Sequence, residues 1–235
     1  MNIVMYTANI GGKDSGPIYP FPLKEGEQLV YISDNQFSTP SGWEHQYPIA
    51  TFDNPRKTAR LHKTMPEEMF PTADITIWVD ASQTIQAPIS EIVEHCKGYS
   101  FASFKHPIRD CVYDEAKAVI DFNLDNRATV AKQVGQFSVV GYPKHNGLVE
   151  TQMVYRDHRD RRVKDLGRMW WGFIRDKSIR DQLSINFVLW LLDIDYKEIP
   201  REVSLQMRHS IPTTGRQDRE IDKHKGTYNG FKDYL

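Results

Sequence analysis

Three short apolar runs, each stopping at a polar residue, constrain this chain more than any other feature of its sequence. Residues 2–8 end at Asn9-Ile10-Gly11-Gly12, residues 29–33 at Asp34-Asn35, and the alternating stretch Ile75-Thr76-Ile77-Trp78-Val79 at Asp80. Runs of this length, rich in β-branched and aromatic residues, read as strands. The first two are apolar almost throughout, as expected of strands covered on both faces. Polar residues at the carboxyl ends of such strands are where open α/β sheets hold ligands, and a Gly-Gly pair lets the backbone approach one closely.

Between the runs the spacing becomes helical. Asp53 or Asn54 caps a helix with Pro55 in its first turn, and Pro66 breaks it. Further helices are expected over 89–96, 112–122, 126–134, 163–175 and 179–192, with strands over 99–104 and 149–155. This rhythm predicts an α/β fold with a mostly parallel central sheet flanked by helices. A chain of 235 residues with 40% hydrophobic content fills one core. A single domain is expected over residues 1–207, followed by a polar tail, 208–235, open to ordering by a ligand.

Thirty basic residues against thirty-one acidic ones leave no global attraction to nucleic acid or anionic lipid. Cys96 and Cys111 form no CxxC pair, which argues against a disulfide framework or a structural zinc site and reads as two free core thiols. The most apolar run, 187–192, is far shorter than the roughly 20 residues that cross a bilayer. Met1 opens into a strand without a basic leader, so a cytoplasmic protein is expected.

Several residues could carry chemistry. Asp80 could bind a hard cation or a ribose hydroxyl, or simply cap the next turn; Ser82 stands where a second acid would complete a DxD pattern. Arg56, Arg60 and Lys63 share one helix face with Lys57 beside it, suited to phosphate or to plain solvation. Ser178-Ile179-Arg180-Asp181 matches a helix capping box, whereas a functional reading makes Asp181 a base or acceptor-binding acid with Gln182 beside it. His106-Pro107-Ile108-Arg109-Asp110-Cys111 gathers an imidazole, a guanidinium and a carboxylate in one loop. Trp170-Trp171 reads as core or as a sugar-stacking wall, and His209 as a metal ligand near the C-terminus. Residues 156–168 hold six Lys/Arg against three Asp, a local patch for phosphate contacts.

Taken in order, Tyr6-Thr7-Ala8-Asn9-Ile10-Gly11-Gly12, Arg56-Lys57-Thr58-Ala59-Arg60, Ile77-Trp78-Val79-Asp80, Cys111-Val112-Tyr113-Asp114-Glu115-Ala116, Trp170-Trp171 and Arg180-Asp181-Gln182-Leu183-Ser184 form a pattern. It resembles the plant TOD/MUCI glycosyltransferase-like family, also known as domain of unknown function 616, over about residues 1–207. The resemblance implies a GT-A fold and transfer from a nucleotide sugar, with a UDP-sugar as expected donor. It implies donor contacts from Thr7, Ala8, Asn9, Asp34, Lys57, Arg60, Lys63, Asp80, Ala81 and Ser82, with Asp34 at the nucleoside. The implied catalytic candidates are Asp181, Gln182 and Asp110, and the acceptor candidates His106, Arg109, Glu150, Trp170 and Trp171. Asp80 and His209 would hold a divalent cation, Mn²⁺ or Mg²⁺.

A glycan is the expected acceptor. The alternatives are hydroxymethylated bases in phage DNA, a nucleotide-sugar-binding module without catalysis, and a nucleotidyltransferase, which would release pyrophosphate. Asp80→Ala and Asp181→Ala are expected to abolish transfer while leaving the fold intact.

Overall fold

The structure, a computed structural model, describes residues 1–210. The chain runs β1 (Ile3–Ala8), β2 (Glu27–Ile32), β3 (Glu44–Gln46), α1 (Pro55–Thr64), β4 (Ile75–Val79), β5 (Gln83–Ile85), α2 (Ile89–Cys96) and β6 (Phe101–Lys105). It continues with α3 (Val112–Asp121), α4 (Arg127–Val140), β7 (Val149–Asp157), α5 (Arg162–Asp176), α6 (Ile185–Leu191), β8 (Tyr196–Ile199), α7 (Arg201–Met207) and β9 (Arg208–Ser210).

Among the described residues, seven strands form one sheet in the order β3-β2-β1-β4-β7-β6-β8. Strand β7 alone runs against its neighbours β4 and β6; every other pair is parallel. The helix-flanked, mostly parallel α/β sheet expected from the rhythm of the sequence is therefore the one formed. The direction of β7 matters for the site: its amino end meets the carboxyl ends of β1, β2, β4 and β6 along one edge. From β1 the chain goes out to β2 and β3, then returns to β4 on β1's other side. Where strand order reverses in this way, the loops diverge and leave a crevice.

The sheet buries both faces by simple alternation. Ile3 and Met5 pack with Ile89, Ile92 and Cys96 of α2 on one side. Val4, Tyr6 and Ala8 pack with Leu61 of α1, Trp170 and Ile174 of α5, and Val188 of α6 on the other. A satellite cluster joins α3 and α4 to α6 through Val119, Phe137 and Phe187.

Helices α1 and α5 approach closely because Gly167 lacks a side chain: a Cβ there would lie 2.5 Å from the carbonyl oxygen of Thr64. Backbone cannot yield as a flexible side-chain tip can. Gly167→Ala is expected to cost about 1–3 kcal/mol, the usual range for overpacking, read as a lower urea midpoint. An unchanged midpoint would mean the helices sit further apart.

The structure departs from the sequence reading in places. The helix expected over 126–134 continues to Val140 and stops at Gly141, whose φ of 89° suits glycine. The helix expected over 179–192 is instead a 3-10 turn, Asp181–Leu183, followed by α6. Of the expected tail, 208–210 pairs as β9 with β5, and 211–235 lie outside the described residues. No helix among the described residues is long and apolar enough to cross a membrane.

Candidate active site

Asn54, rather than Asp53, caps α1 by accepting from Arg56 N, and Pro55 starts the helix. Nine residues on, Lys63 occupies the face turned to the sheet, and its side chain is 1% exposed. Its Nζ donates to Asp181 Oδ2 at 2.7 Å and to Thr151 Oγ1 at 3.0 Å, and lies 3.6 Å from Asp80 Oδ1. Asp181 Oδ2 also accepts from Thr151 Oγ1 at 2.7 Å and pairs with Arg60 Nη1 at 3.0 Å. One buried carboxylate oxygen thus gathers α1, β7 and the 3-10 turn.

The surrounding groups hold this pair rigidly. Tyr6 OH donates to the carbonyl of Lys63 at 3.1 Å, and Arg156 Nη2 donates to the same oxygen at 2.8 Å. Arg156 Nη1 reaches Tyr6 OH, its guanidinium lies over the Trp170 ring, and Trp170 Nε1 donates to the carbonyl of Asp181 at 3.0 Å. The Lys63 carbonyl, at the end of α1, is so satisfied.

Burial opposes the charge on Asp181, but Arg60, Lys63 and the donated hydrogen bonds outweigh it and hold the carboxyl well below the ordinary range. Burial pulls Lys63 below a normal lysine, while Asp181 and Asp80 push back. A carboxylate pinned by three donors takes up a proton poorly, so the geometry does not fit Asp181 as a general base. The capping reading fails as well: the 3-10 turn has no side-chain cap, and Ser178 Oγ donates to Asp125 instead.

Asp80 follows β4 at the carboxyl edge of the sheet, its side chain 31% exposed. Its Oδ1 accepts from Trp78 Nε1 at 2.8 Å. Asp34 sits two strands away, about 10 Å by strand spacing. Both of its oxygens accept from Gly11 N at 3.1 Å, tying the loops after β1 and β2 together. Asn9 shapes the same loop: its amide donates to Asp14 O and Tyr31 OH. Thr7 and Ala8 are buried beneath, and Ala81 and half-buried Ser82 form the turn after Asp80. Asp80 and Asp181 therefore meet at Lys63, and Asp34 lies along the same edge.

Other candidates fall elsewhere. Lys57 Nζ donates to the carbonyl of Arg175 at 2.8 Å and serves the end of α5. Trp170 is 0% and Trp171 8% exposed, the latter tilted against Phe52, so both are core and neither offers a face to a sugar. Gln182 is half-buried beside Asp181. Glu150 accepts from Gln152 Nε2, and Gln152 Oε1 from Gln83 Nε2, a chain running toward the turn after Asp80. Asp110 is exposed and accepts from His145 Nδ1. The imidazole of His209 lies outside the described residues; its backbone pairs with Thr84.

No group of three potential ligands among the described residues gathers around Asp80. Among the described residues Asp80 is the one acid there within ion-pair reach of Lys63 besides Asp181, and that ammonium already supplies positive charge at 3.6 Å. The basic segment 156–168 lies away from this edge. It begins at the far edge of the sheet, where Asp157 pairs with Ile75. Arg156 is buried, Arg159 pairs with Asp157, and Arg162 with Asp160.

The loop after β6 folds around His106, whose Nδ1 accepts from Arg109 N at 3.0 Å while Arg109 Nε donates to Glu115 at 2.6 Å. Burial draws His106 down to about 4. The unfolded state binds a proton near the usual histidine value of about 6.5, so stability should fall as pH drops from about 6.5 to 4, by up to about 3 kcal/mol. Denaturant midpoints against pH check this, and His106→Gln should flatten the slope.

Thr151 and the supporting trio Tyr6, Arg156 and Trp170 carried no local signal for these roles. Most of their partners are distant in sequence: Lys63 is 57 residues from Tyr6, 88 from Thr151 and 93 from Arg156, whereas Trp170 lies 11 from Asp181.

Comparison with known proteins bears on the same residues. The model of a family described as a TOD1/MUCI70, glycosyltransferase-like domain matches residues 48–210, which include Arg60, Lys63, Asp80, Thr151 and Asp181. No curated protein matches the sequence. Among solved structures, the apo WbbM bifunctional glycosyltransferase aligns with TM-score 0.48 and 6% identity over 86% of this chain, which spans 39% of that protein. A glycosyltransferase involved in glycosylation of the major capsid of PBCV-1 aligns with TM-score 0.45 and 10% identity, over 95% of this chain and 100% of that one.

Proposed function

The chain belongs to the TOD1/MUCI70 glycosyltransferase-like family, and from that premise we propose that it moves a sugar from a nucleotide-sugar donor, a UDP-sugar, to an acceptor hydroxyl at the carboxyl edge of the sheet. One observation carries the reading: two cations, Arg60 and Lys63, anchored on a single buried carboxylate. As the glycosidic bond to the donor breaks, negative charge grows on the departing diphosphate, and fixed positive charge in a water-poor site stabilises it.

Arg60, 20% exposed, is the member that reaches the ligand, and its planar fork suits phosphate oxygens. Lys63 acts from beneath. Asp181 is a positioning residue that holds both cations; Asp80 receives a ribose hydroxyl and Asp34 the nucleoside. Glu150 and the loop carrying Arg109 border the acceptor side. A glycan is proposed as acceptor over duplex DNA, because the basic segment begins at the opposite edge of the sheet and Arg159 and Arg162 in it are paired with Asp157 and Asp160.

The test is product analysis over a panel of nucleotide sugars. Release of nucleoside diphosphate supports transfer, and release of pyrophosphate would indicate a nucleotidyltransferase. Because the Lys63 ammonium supplies the charge a metal would bring, turnover is expected to survive EDTA; complete loss, restored by Mn²⁺ or Mg²⁺, would contradict this part of the reading.

A further inference from the structure

We propose that Cys111, Asp114 and His145 form a zinc site that clips the start of α3 to the turn before β7. One ligand atom from each, thiol sulfur, carboxylate oxygen and imidazole nitrogen, lies within 4.8 Å of the others. Zinc bonds of about 2.0–2.3 Å in a tetrahedron place ligands about 3.3–3.8 Å apart, so side-chain shifts of about 1 Å close the shell. Cys111 immediately precedes α3 and Asp114 lies in its first turn, spaced to share one face. His145 comes from the loop after α4, in a left-handed backbone conformation with φ of 53°. The thiol is buried, whereas Asp114 and His145 are exposed, which leaves a path for the ion.

A second observation points the same way. Asp110 Oδ1 lies 2.7 Å from His145 Nδ1. A carboxylate that takes the Nδ1 proton fixes the tautomer and leaves the Nε2 lone pair for a metal, the arrangement that orients histidine ligands in zinc sites. Sulfur, nitrogen and oxygen together suit zinc, whereas Mg²⁺ and Mn²⁺ favour oxygen. Water completes the fourth position. On binding, the Cys111 thiol gives its proton to solvent as the zinc–sulfur bond forms.

Cysteine spacing alone argues against structural zinc, because it asks for paired cysteines; here the ligands come from two segments that only the fold brings together. The clip would hold the loop of His106 and Arg109 against the segment leading to Glu150 and Thr151. It shares no residue with the Lys63–Asp181 pair, so its failure and that of the transferase reading are separable.

The experiment is titration of metal-stripped protein with Zn²⁺ by calorimetry and with Co²⁺ by absorption. Wild type and Cys96→Ala should bind with one-to-one stoichiometry, and the cobalt form should show a thiolate charge-transfer band. Cys111→Ser and His145→Asn should lose both, the latter from an exposed loop where asparagine tolerates the backbone. Asp110→Asn should weaken binding about 10–100-fold. No uptake by wild type, or uptake undiminished in Cys111→Ser and His145→Asn, would overturn the proposal.

Discussion

Asp181→Ala is expected to destabilise the protein by about 3–5 kcal/mol, because it strands a fully buried ammonium without its nearest counter-ion. The Lys63 side chain is 1% exposed, and among the described residues Asp80, at 3.6 Å, is the remaining acid within ion-pair reach. From the sequence alone the variant is expected to keep its fold intact; the buried pair predicts otherwise. Guanidinium unfolding measures the loss. The double variant Lys63→Met with Asp181→Asn removes the stranded charge and leaves an acceptor for Thr151 and Arg60, so it should recover most of the stability while remaining inactive. A single variant as stable as wild type would mean the pair is neither dry nor ionic. Because the folded carboxyl titrates below its unfolded value of about 4, its contribution is present above that pH and lost as acid protonates the native pair.

Arg60→Ala is expected to show the opposite balance. Its partly exposed ion pair with Asp181 contributes about 1 kcal/mol or less to folding. Losing a fixed cation at the departing diphosphate should lower kcat/KM by about 10²–10³-fold. Lys at this position should restore part of the rate, since charge returns without the fork. Activity and stability falling together would instead make Arg60 a part of the scaffold.

These two residues show what was legible in the sequence. Strand β1 is legible from its apolar run and β4 from its alternation, and the spacing gives α2 its bounds and Asp80 its place at a strand end. The helical spacing of Lys57, Arg60 and Lys63 was visible too. Spacing alone could not show which flank faced the sheet, and the three diverge: Lys57 serves α5, Arg60 reaches the surface, and Lys63 is interior. Asp181 was obscured by a local pattern, Ser178 to Asp181, that imitates a cap; a partner 118 residues away took it instead. Strands β3, β5 and β8 were missed because three or four residues with mixed burial produce no periodicity. Trp170 and Trp171 offered core or sugar wall on sequence alone, and packing decided for core.

The most direct measurement is donor turnover by wild type and Arg60→Ala, followed as nucleoside diphosphate released from each of a panel of nucleotide sugars. Release from at least one donor, falling by about 10²-fold or more in the variant, is expected if Arg60 and Lys63 hold the leaving diphosphate. Release that is the same in both proteins, or absent for every donor tested with a glycan acceptor present, would contradict it.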